Sequence, residues 1–138
     1  MKKVYFSWND FEKAVQELTK QISFWDKIDF VVGIPRGGVI LAIVLSHRTG
    51  VKHMTIDHFE KVKGELDPKR ILIVDDISDS GQTLKKYVDE GYLTATWHER
   101  FSTIAKPDFV VEHLNNTNWI VYPWEAKDSK AVQDYLEN

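Results

Sequence analysis

Apolar and polar residues fall in blocks along the chain, and the blocks change period. Val4-Tyr5-Phe6 predicts a short leading strand. Asn9 predicts a helix start, with Glu12 three residues on as its capping-box partner. Phe11, Val15, Leu18 and Ile22 recur at helical spacing, so one face of this helix packs inward. Phe30-Val31-Val32-Gly33-Ile34 predicts a buried strand that runs into the turn Pro35-Arg36-Gly37-Gly38. Val39 to His47 is apolar nearly all round, the pattern of a helix buried against a sheet. Gly50 is placed to end it. Lys52 to Ile56 predicts a short strand. Asp57 to Arg70 is polar, contains Gly64 and Pro68, and reads as a loop.

Ile71 to Val74 is the clearest strand, four aliphatic residues in a row. An acidic turn follows, then a helix over Gln82 to Glu90 closed by Gly91. Leu93 to Trp97, Phe109 to Val111 and Trp119 to Val121 are further strand candidates. Ser129 to Leu136 predicts a terminal helix capped by Asp128, with Val132, Tyr135 and Leu136 facing inward. Strands alternating with helices predict an α/β fold, a mainly parallel sheet flanked by helices. In such sheets ligands sit at the carboxyl ends of strands. Two turns occupy that place, Pro35 to Gly38 and Asp75 to Gly81.

Composition narrows the function classes. The 138 residues suit one domain, 1–138, with 43% hydrophobic residues to build its core. The formal net charge of −3 lacks the basic excess of a broad nucleic-acid surface, so no nucleic-acid partner is expected. With no cysteine, disulfides, thiolate chemistry and cysteine zinc sites are excluded. Met1 to Phe6 is a poor signal peptide, and the apolar run Val39 to Leu45 is far too short to span a bilayer. A soluble cytoplasmic protein is expected. The histidines at 47, 53, 58, 98 and 113 lack metal-ligand spacing and read as surface or structural residues.

The acidic turn carries the chemistry. Strand Ile71 to Val74 delivers Asp75 and Asp76 to the sheet edge. Ser78, Asp79, Ser80, Gly81, Gln82 and Thr83 then lead into a helix, whose first turn presents free amides and a positive dipole end. Gly81 allows close backbone approach, and the hydroxyls add donors, so the turn is a phosphate cradle. The two carboxylates repel phosphate and instead suit hydroxyls or a hydrated cation. A diol beside a phosphate is a ribose 5-phosphate, and magnesium prefers one or two carboxylates plus phosphate oxygens. Neither a Walker A loop nor a Rossmann fingerprint is present.

The segment Ile71 to Thr83 resembles the signature by which type I phosphoribosyltransferases bind 5-phosphoribosyl 1-pyrophosphate (PRPP). Gly33 to Gly38 resembles the family's pyrophosphate loop, with Arg36 and Gly37 as the anion-binding residues and a non-proline cis peptide expected at Pro35-Arg36. Ala105-Lys106-Pro107 with Asn118 to Glu125 resembles the hood of the 6-oxopurine subgroup, placed at about residues 100–125. There Lys106 would donate to the purine oxygen, Trp119 would stack on the ring and the main chain around Ile120 would read its edge. Trp124 is expected to be a core aromatic.

The resemblance implies the type I phosphoribosyltransferase fold and purine salvage: PRPP plus guanine, xanthine or hypoxanthine gives the nucleoside 5′-monophosphate and pyrophosphate. It implies Mg2+ as cofactor, a dimer or tetramer, and these roles. Asp75 and Asp76 bind the ribose hydroxyls or magnesium, the latter directly or through water. Ser78 to Thr83 hold the 5-phosphate. Asp79 is the catalytic acid–base at purine N7. One departure stands out: the family's long mobile loop corresponds here only to residues 57–70, without its usual Ser-Tyr pair. Two alternatives stay open, a PRPP- or nucleotide-sensing regulatory protein of the same fold, and transfer to a non-purine acceptor.

Overall fold

The computed structural model describes residues 2–128. Strands β2 (Phe30–Gly33), β3 (Lys52–Met54), β4 (Ile71–Ser78), β5 (Leu93–Arg100) and β6 (Phe109–Leu114) form one sheet in the order β3-β2-β4-β5-β6. Every pairing in it is parallel. Helices α1 (Trp8–Gln21) and α2 (Gly37–Thr49) cover one face. Helices α3 (Ile56–Val62) and α4 (Gln82–Asp89) cover the other. A separate two-stranded parallel sheet joins β1 (Lys3–Tyr5) to β7 (Trp119–Val121).

The continuous apolar run in β4 follows from this layering, because a strand in a covered parallel sheet is buried on both faces. Leu72 and Val74 point toward Phe11, Leu18, Leu41 and Leu45 under α1 and α2. Ile71 and Ile73 point toward Phe59, Leu84 and Tyr87. All four are fully buried, each stabilising the fold by about 1.5–3 kcal/mol. The all-round apolar helix is α2, closed as expected by Gly50 at φ 78°, whose amide donates to Ser46 O at 2.9 Å.

Several local readings need correction. The first helix starts at Trp8, and its capping box is Ser7 with Asp10, not Asn9 with Glu12. Asp10 N donates to Ser7 Oγ at 3.0 Å and Ser7 N to Asp10 Oδ2 at 2.8 Å, which places Asn9 inside the first turn. Strand β3 is shorter than expected, because Thr55 turns to cap α3 by accepting from His58 N at 3.3 Å. Strands β4, β5 and β6 run further than their apolar runs, since pairing continues through Asp75↔Thr96, Ser78↔Glu99 and Arg100↔Leu114. The expected terminal helix, Ser129 to Leu136, lies outside the described residues.

The segment 57–70 is not an open loop. It holds α3 and two 3-10 turns, Lys63–Glu65 and Pro68–Arg70. Phe59 is fully buried, with its ring 5.2 Å from Tyr92 and 6.2 Å from Tyr87. Glu60 accepts from Tyr87 Oη at 3.0 Å and pairs with Lys63 at 3.0 Å and Lys86 at 3.4 Å. Here Phe59, with Ile56 and Val62 packed beside it, fixes the inner face of a short helix. Phe59→Ala is therefore expected to cost about 3–5 kcal/mol in urea unfolding, the cost of a core cavity. A loss under about 1 kcal/mol would mean that α3 is not part of the core.

Candidate active site

The site is built where β4 outruns one of its neighbours. Pairing of β2 with β4 ends at Gly33↔Val74, whereas pairing with β5 continues to Ser78↔Glu99. After Gly33 the chain holds on by Ile34 N to Val74 O at 2.8 Å, then turns. The Pro35-Arg36 peptide is cis, as the family resemblance implied. Helix α2 begins at once with Gly37 and Gly38. A Cβ on Gly37 would overlap the Asp76 carboxylate, and one on Gly38 would overlap Val74 O and approach Asp75 Cα at 2.8 Å. Two glycines thus let the first turn of α2 lie against the acidic pair.

The pair itself is held by the backbone. Asp75 Oδ1 accepts from Asp76 N at 2.8 Å, and Asp76 Oδ1 accepts from Ile77 N at 2.8 Å. Burial pushes the Asp76 carboxyl up to about 6, against the lowering effect of its hydrogen bonds to Asp75 and Ile77. A carboxylate kept in that state gains from a cation beside it. Among the described residues no third His, Asp or Glu joins the two as a cage. Two adjacent carboxylates with open coordination suit a hydrated magnesium that takes its other ligands from a substrate.

The cradle follows. Gly81 has φ 89°, and a Cβ there would overlap Thr103 Oγ1 and meet Ala105 N at 2.6 Å. Ile104 N donates to Ser80 O at 3.0 Å, so residues 103–105 brace the turn from beneath. Helix α4 starts at Gln82 without a side-chain cap, which leaves its first-turn amides to a ligand. Gln82 N does reach Ser80 Oγ at 3.3 Å. The Ser78 hydroxyl is turned inward, 2.8 Å from Thr103 Oγ1 and donating to Ala105 O at 2.7 Å. Of the hydroxyls singled out in this turn, Ser80 is exposed and Thr83 half-buried.

Arg100 and Tyr122, which sequence reasoning passed over, and His98, which it read as surface or structural, complete the surroundings. Arg100, at the end of β5, donates from Nε to Asp79 Oδ1 at 3.2 Å and from Nη1 to Asn116 O at 2.9 Å. His98 is fully buried, with Nε2 2.9 Å from Glu112 Oε2 and Nδ1 2.9 Å from Tyr122 Oη. Burial holds its imidazole down at about 3, so it is neutral at ordinary pH. The ring meets a carboxylate at Nε2 and the Tyr122 hydroxyl at Nδ1. The same tyrosine hydroxyl reaches the Asp76 carbonyl at 3.3 Å. Trp124 stacks on Tyr122 at 5.0 Å and packs on Phe11, a core aromatic as expected.

On the hood side, Ile120 is buried in the core and Trp119 is half-buried beside Lys3, whose Nζ lies 5.4 Å from its ring centre. Lys106 is 71% exposed and lies 3.7 Å from Glu99 Oε1, an oxygen that also faces His113 Nδ1 at 3.1 Å. Arg36 is exposed at the turn before α2.

The raised Asp76 carboxyl has a consequence for stability. In the folded chain it takes up its proton near pH 6, against 3.8 as the model-compound value. Its stabilising contribution is therefore complete below about pH 4 and is lost as pH rises through 6. Asp76→Asn keeps an oxygen for Ile77 N and removes the charge. The variant should gain melting temperature over the wild type as pH goes from 4 to 8. A difference that stays constant over that range would show that Asp76 is not held protonated by burial.

Known proteins share this arrangement. The family model for the phosphoribosyl transferase domain matches residues 3–95. The xanthine-guanine phosphoribosyltransferase of Idiomarina loihiensis is 26% identical over 144 residues, covering 88% of this chain and 86% of that protein. The structure of a purine phosphoribosyltransferase from Pyrococcus horikoshii superposes with a TM-score of 0.76 at 29% identity, over 96% of this chain and 100% of that one. A xanthine-guanine-hypoxanthine phosphoribosyltransferase from Helicobacter pylori gives a TM-score of 0.71 at 25% identity, over 89% and 93%. The strand that carries the acidic pair, the turn before α2 and the cradle before α4 all lie within the matched span, and the chain belongs to the phosphoribosyltransferase family.

Proposed function

We propose that the protein transfers the 5-phosphoribosyl group of PRPP to a 6-oxopurine, releasing pyrophosphate, as a purine-salvage enzyme. The observation that carries this reading is the contact between the turn before α2 and the acidic pair, with the phosphate cradle on the same strand. That layout suits a ligand with an anion at each end and a diol between them. The names of the three similar proteins given above, purine or xanthine-guanine phosphoribosyltransferases, support the purine.

In this reading Arg36 and Gly37 hold the pyrophosphate, and the amides of Ser78 to Thr83 with the Ser80 and Thr83 hydroxyls hold the 5-phosphate. Asp75 and Asp76 face the ribose hydroxyls. Asp75 and Asp76 would hold magnesium, whose charge would offset that of the departing pyrophosphate. The purine N9 forms its bond to the anomeric carbon as the bond to pyrophosphate breaks, and those electrons leave with the pyrophosphate. Positive charge building on the ribose ring is stabilised by the two carboxylates. Asp79 accepts the proton that the base gives up at N7. Trp119 and the Ile120 main chain flank the base, with Lys106 and Arg100 the cations on that side. The phosphorylated substrates fit a cytoplasmic enzyme, and a homo-oligomer is the form we expect from the family.

A binding-only reading has one observation in its favour. The segment 57–70, where relatives carry a mobile loop, is anchored here through Phe59 and Glu60. A panel of bases with PRPP and magnesium, read by pyrophosphate release, separates the readings. Release with guanine, xanthine or hypoxanthine is expected. PRPP binding without release would favour a sensor, and release with a pyrimidine alone would move the acceptor out of the purines. Asp79→Ala should lower turnover about 100-fold or more, the range of general acid–base catalysis, with PRPP affinity changed far less. Normal turnover in that variant would remove Asp79 from the chemistry.

A further inference from the structure

We infer that Tyr122 is a positioning residue for the acidic pair: its hydroxyl, held by His98 and by packing on Trp97 and Trp124, fixes the Asp76 main chain where the sheet no longer does. This rests on the PRPP reading above and names a residue on which magnesium-dependent binding of PRPP depends.

The sheet leaves Asp76 without a strand partner. Pairing of β4 with β2 ends at Val74. The register on β5 passes from Asp75↔Thr96 to Ile77↔His98, so Asp76 has no partner residue on either neighbour. Main-chain groups inside a covered sheet must still be paired. The Asp76 amide donates to Asp75 Oδ1 at 2.8 Å. Its carbonyl receives the Tyr122 hydroxyl at 3.3 Å, from 46 positions further along the chain.

That hydroxyl has little freedom of its own. The Tyr122 ring is buried, stacked on Trp124 at 5.0 Å and tilted against Trp97 at 5.3 Å. Glu125 clasps its main chain from both sides. Tyr122 N donates to Glu125 Oε1 at 2.9 Å, and Glu125 N donates to Tyr122 O at 2.9 Å. Tyr122 Oη lies 2.9 Å from His98 Nδ1, whose ring is itself stacked on Trp97 at 5.0 Å. His98 Nε2 lies 2.9 Å from Glu112 Oε2, and the Glu112 side chain is 47% exposed. A line of contacts thus runs from the surface at Glu112 to the Asp76 carbonyl.

The peptide between Asp76 and Ile77 carries the effect to the carboxylate. It is planar, with its oxygen and its N–H on opposite sides. Tyr122 holds the oxygen, and the N–H of Ile77 donates to Asp76 Oδ1 at 2.8 Å. Fixing that plane therefore fixes the bond that aims the carboxylate. Without the hydroxyl the peptide can tilt and carry the carboxylate with it. Magnesium demands near-ideal octahedral geometry, so a pair of carboxylates that holds it tolerates little misplacement. The amides at the start of α4 take no part in this and keep their hold on phosphate.

The test is calorimetry of PRPP binding, with magnesium and with the metal chelated, which needs no turnover. Magnesium should strengthen PRPP binding to the wild type. Tyr122→Phe keeps the ring and its packing and removes only the hydroxyl. It should lose about tenfold in PRPP affinity with magnesium, the worth of one good hydrogen bond, and stay within about twofold of the wild type without it. Glu112→Ala, at the solvent end of the line, should weaken the magnesium-dependent binding by a smaller factor. It gives the reading if Tyr122→Phe fails to fold. Equal losses with and without magnesium would make Tyr122 merely structural and overturn the inference. So would wild-type affinity in magnesium for both variants. A wild type that binds PRPP with no gain from magnesium would overturn the inference and leave the PRPP reading standing, whereas a wild type that binds no PRPP would overturn both.

Discussion

Strand β4 is hydrogen-bonded on both edges, but its two neighbours let go of it at different points. On the β2 side the last pair is Gly33↔Val74, and on the β5 side pairing runs on to Ser78↔Glu99. Between those points lie Asp75 and Asp76, supported on one edge and open on the other. The open edge is where α2 begins, and Gly37 and Gly38 are the residues that let it approach. The bound edge is where β5 continues, and it delivers His98 and Arg100. The turn before α2, the acidic pair and the turn before α4 all follow from this unequal pairing of one buried strand.

A second layer stiffens the arrangement from behind. Glu112 and Tyr122 hold the two ring nitrogens of His98, and the Tyr122 hydroxyl donates to the Asp76 carbonyl. The tyrosine backbone is fixed in turn by Glu125, which accepts from Tyr122 N at 2.9 Å. A neutral imidazole, a tyrosine that keeps its proton and a half-buried aspartate sit in one chain of contacts. The contacts end on the Asp76 backbone carbonyl, so packing behind the strand helps to place the acidic pair.

Much of this was legible in the sequence because local pattern and tertiary role agree. Ile71 to Val74 reads as a doubly buried strand and is one. Gly81 sits before a helix at a turn that requires a positive φ, and Pro35-Arg36 is cis as the resemblance implied. What escaped has a common cause. Ile56, Phe59 and Val62 recur three residues apart, but the helix is short and is followed by Gly64 and Pro68, so the stretch reads as a loop. His98 and Arg100 follow the apolar part of β5, and a charged pair of residues there reads as a strand end. Their roles depend on which strands lie side by side, and register between β4 and β5 is a long-range property that no local window contains. Lys106 is singled out by the resemblance of Ala105-Lys106-Pro107 and Asn118 to Glu125 to the hood of the 6-oxopurine subgroup. Its exposure and its Glu99 partner could only come from three dimensions.

The central claim is that Gly37 exists to let the pyrophosphate turn rest on the acidic pair. It is tested most directly by calorimetry of Gly37→Ala with two ligands in magnesium, PRPP and ribose 5-phosphate. The added methyl would collide with the Asp76 carboxylate, while the cradle from Ser78 to Thr83 is left intact. The account predicts that PRPP affinity falls at least tenfold and that ribose 5-phosphate, which meets Asp76 but lacks the pyrophosphate, loses clearly less, since 1.4 kcal/mol separates each decade of binding. Unchanged PRPP affinity would contradict it.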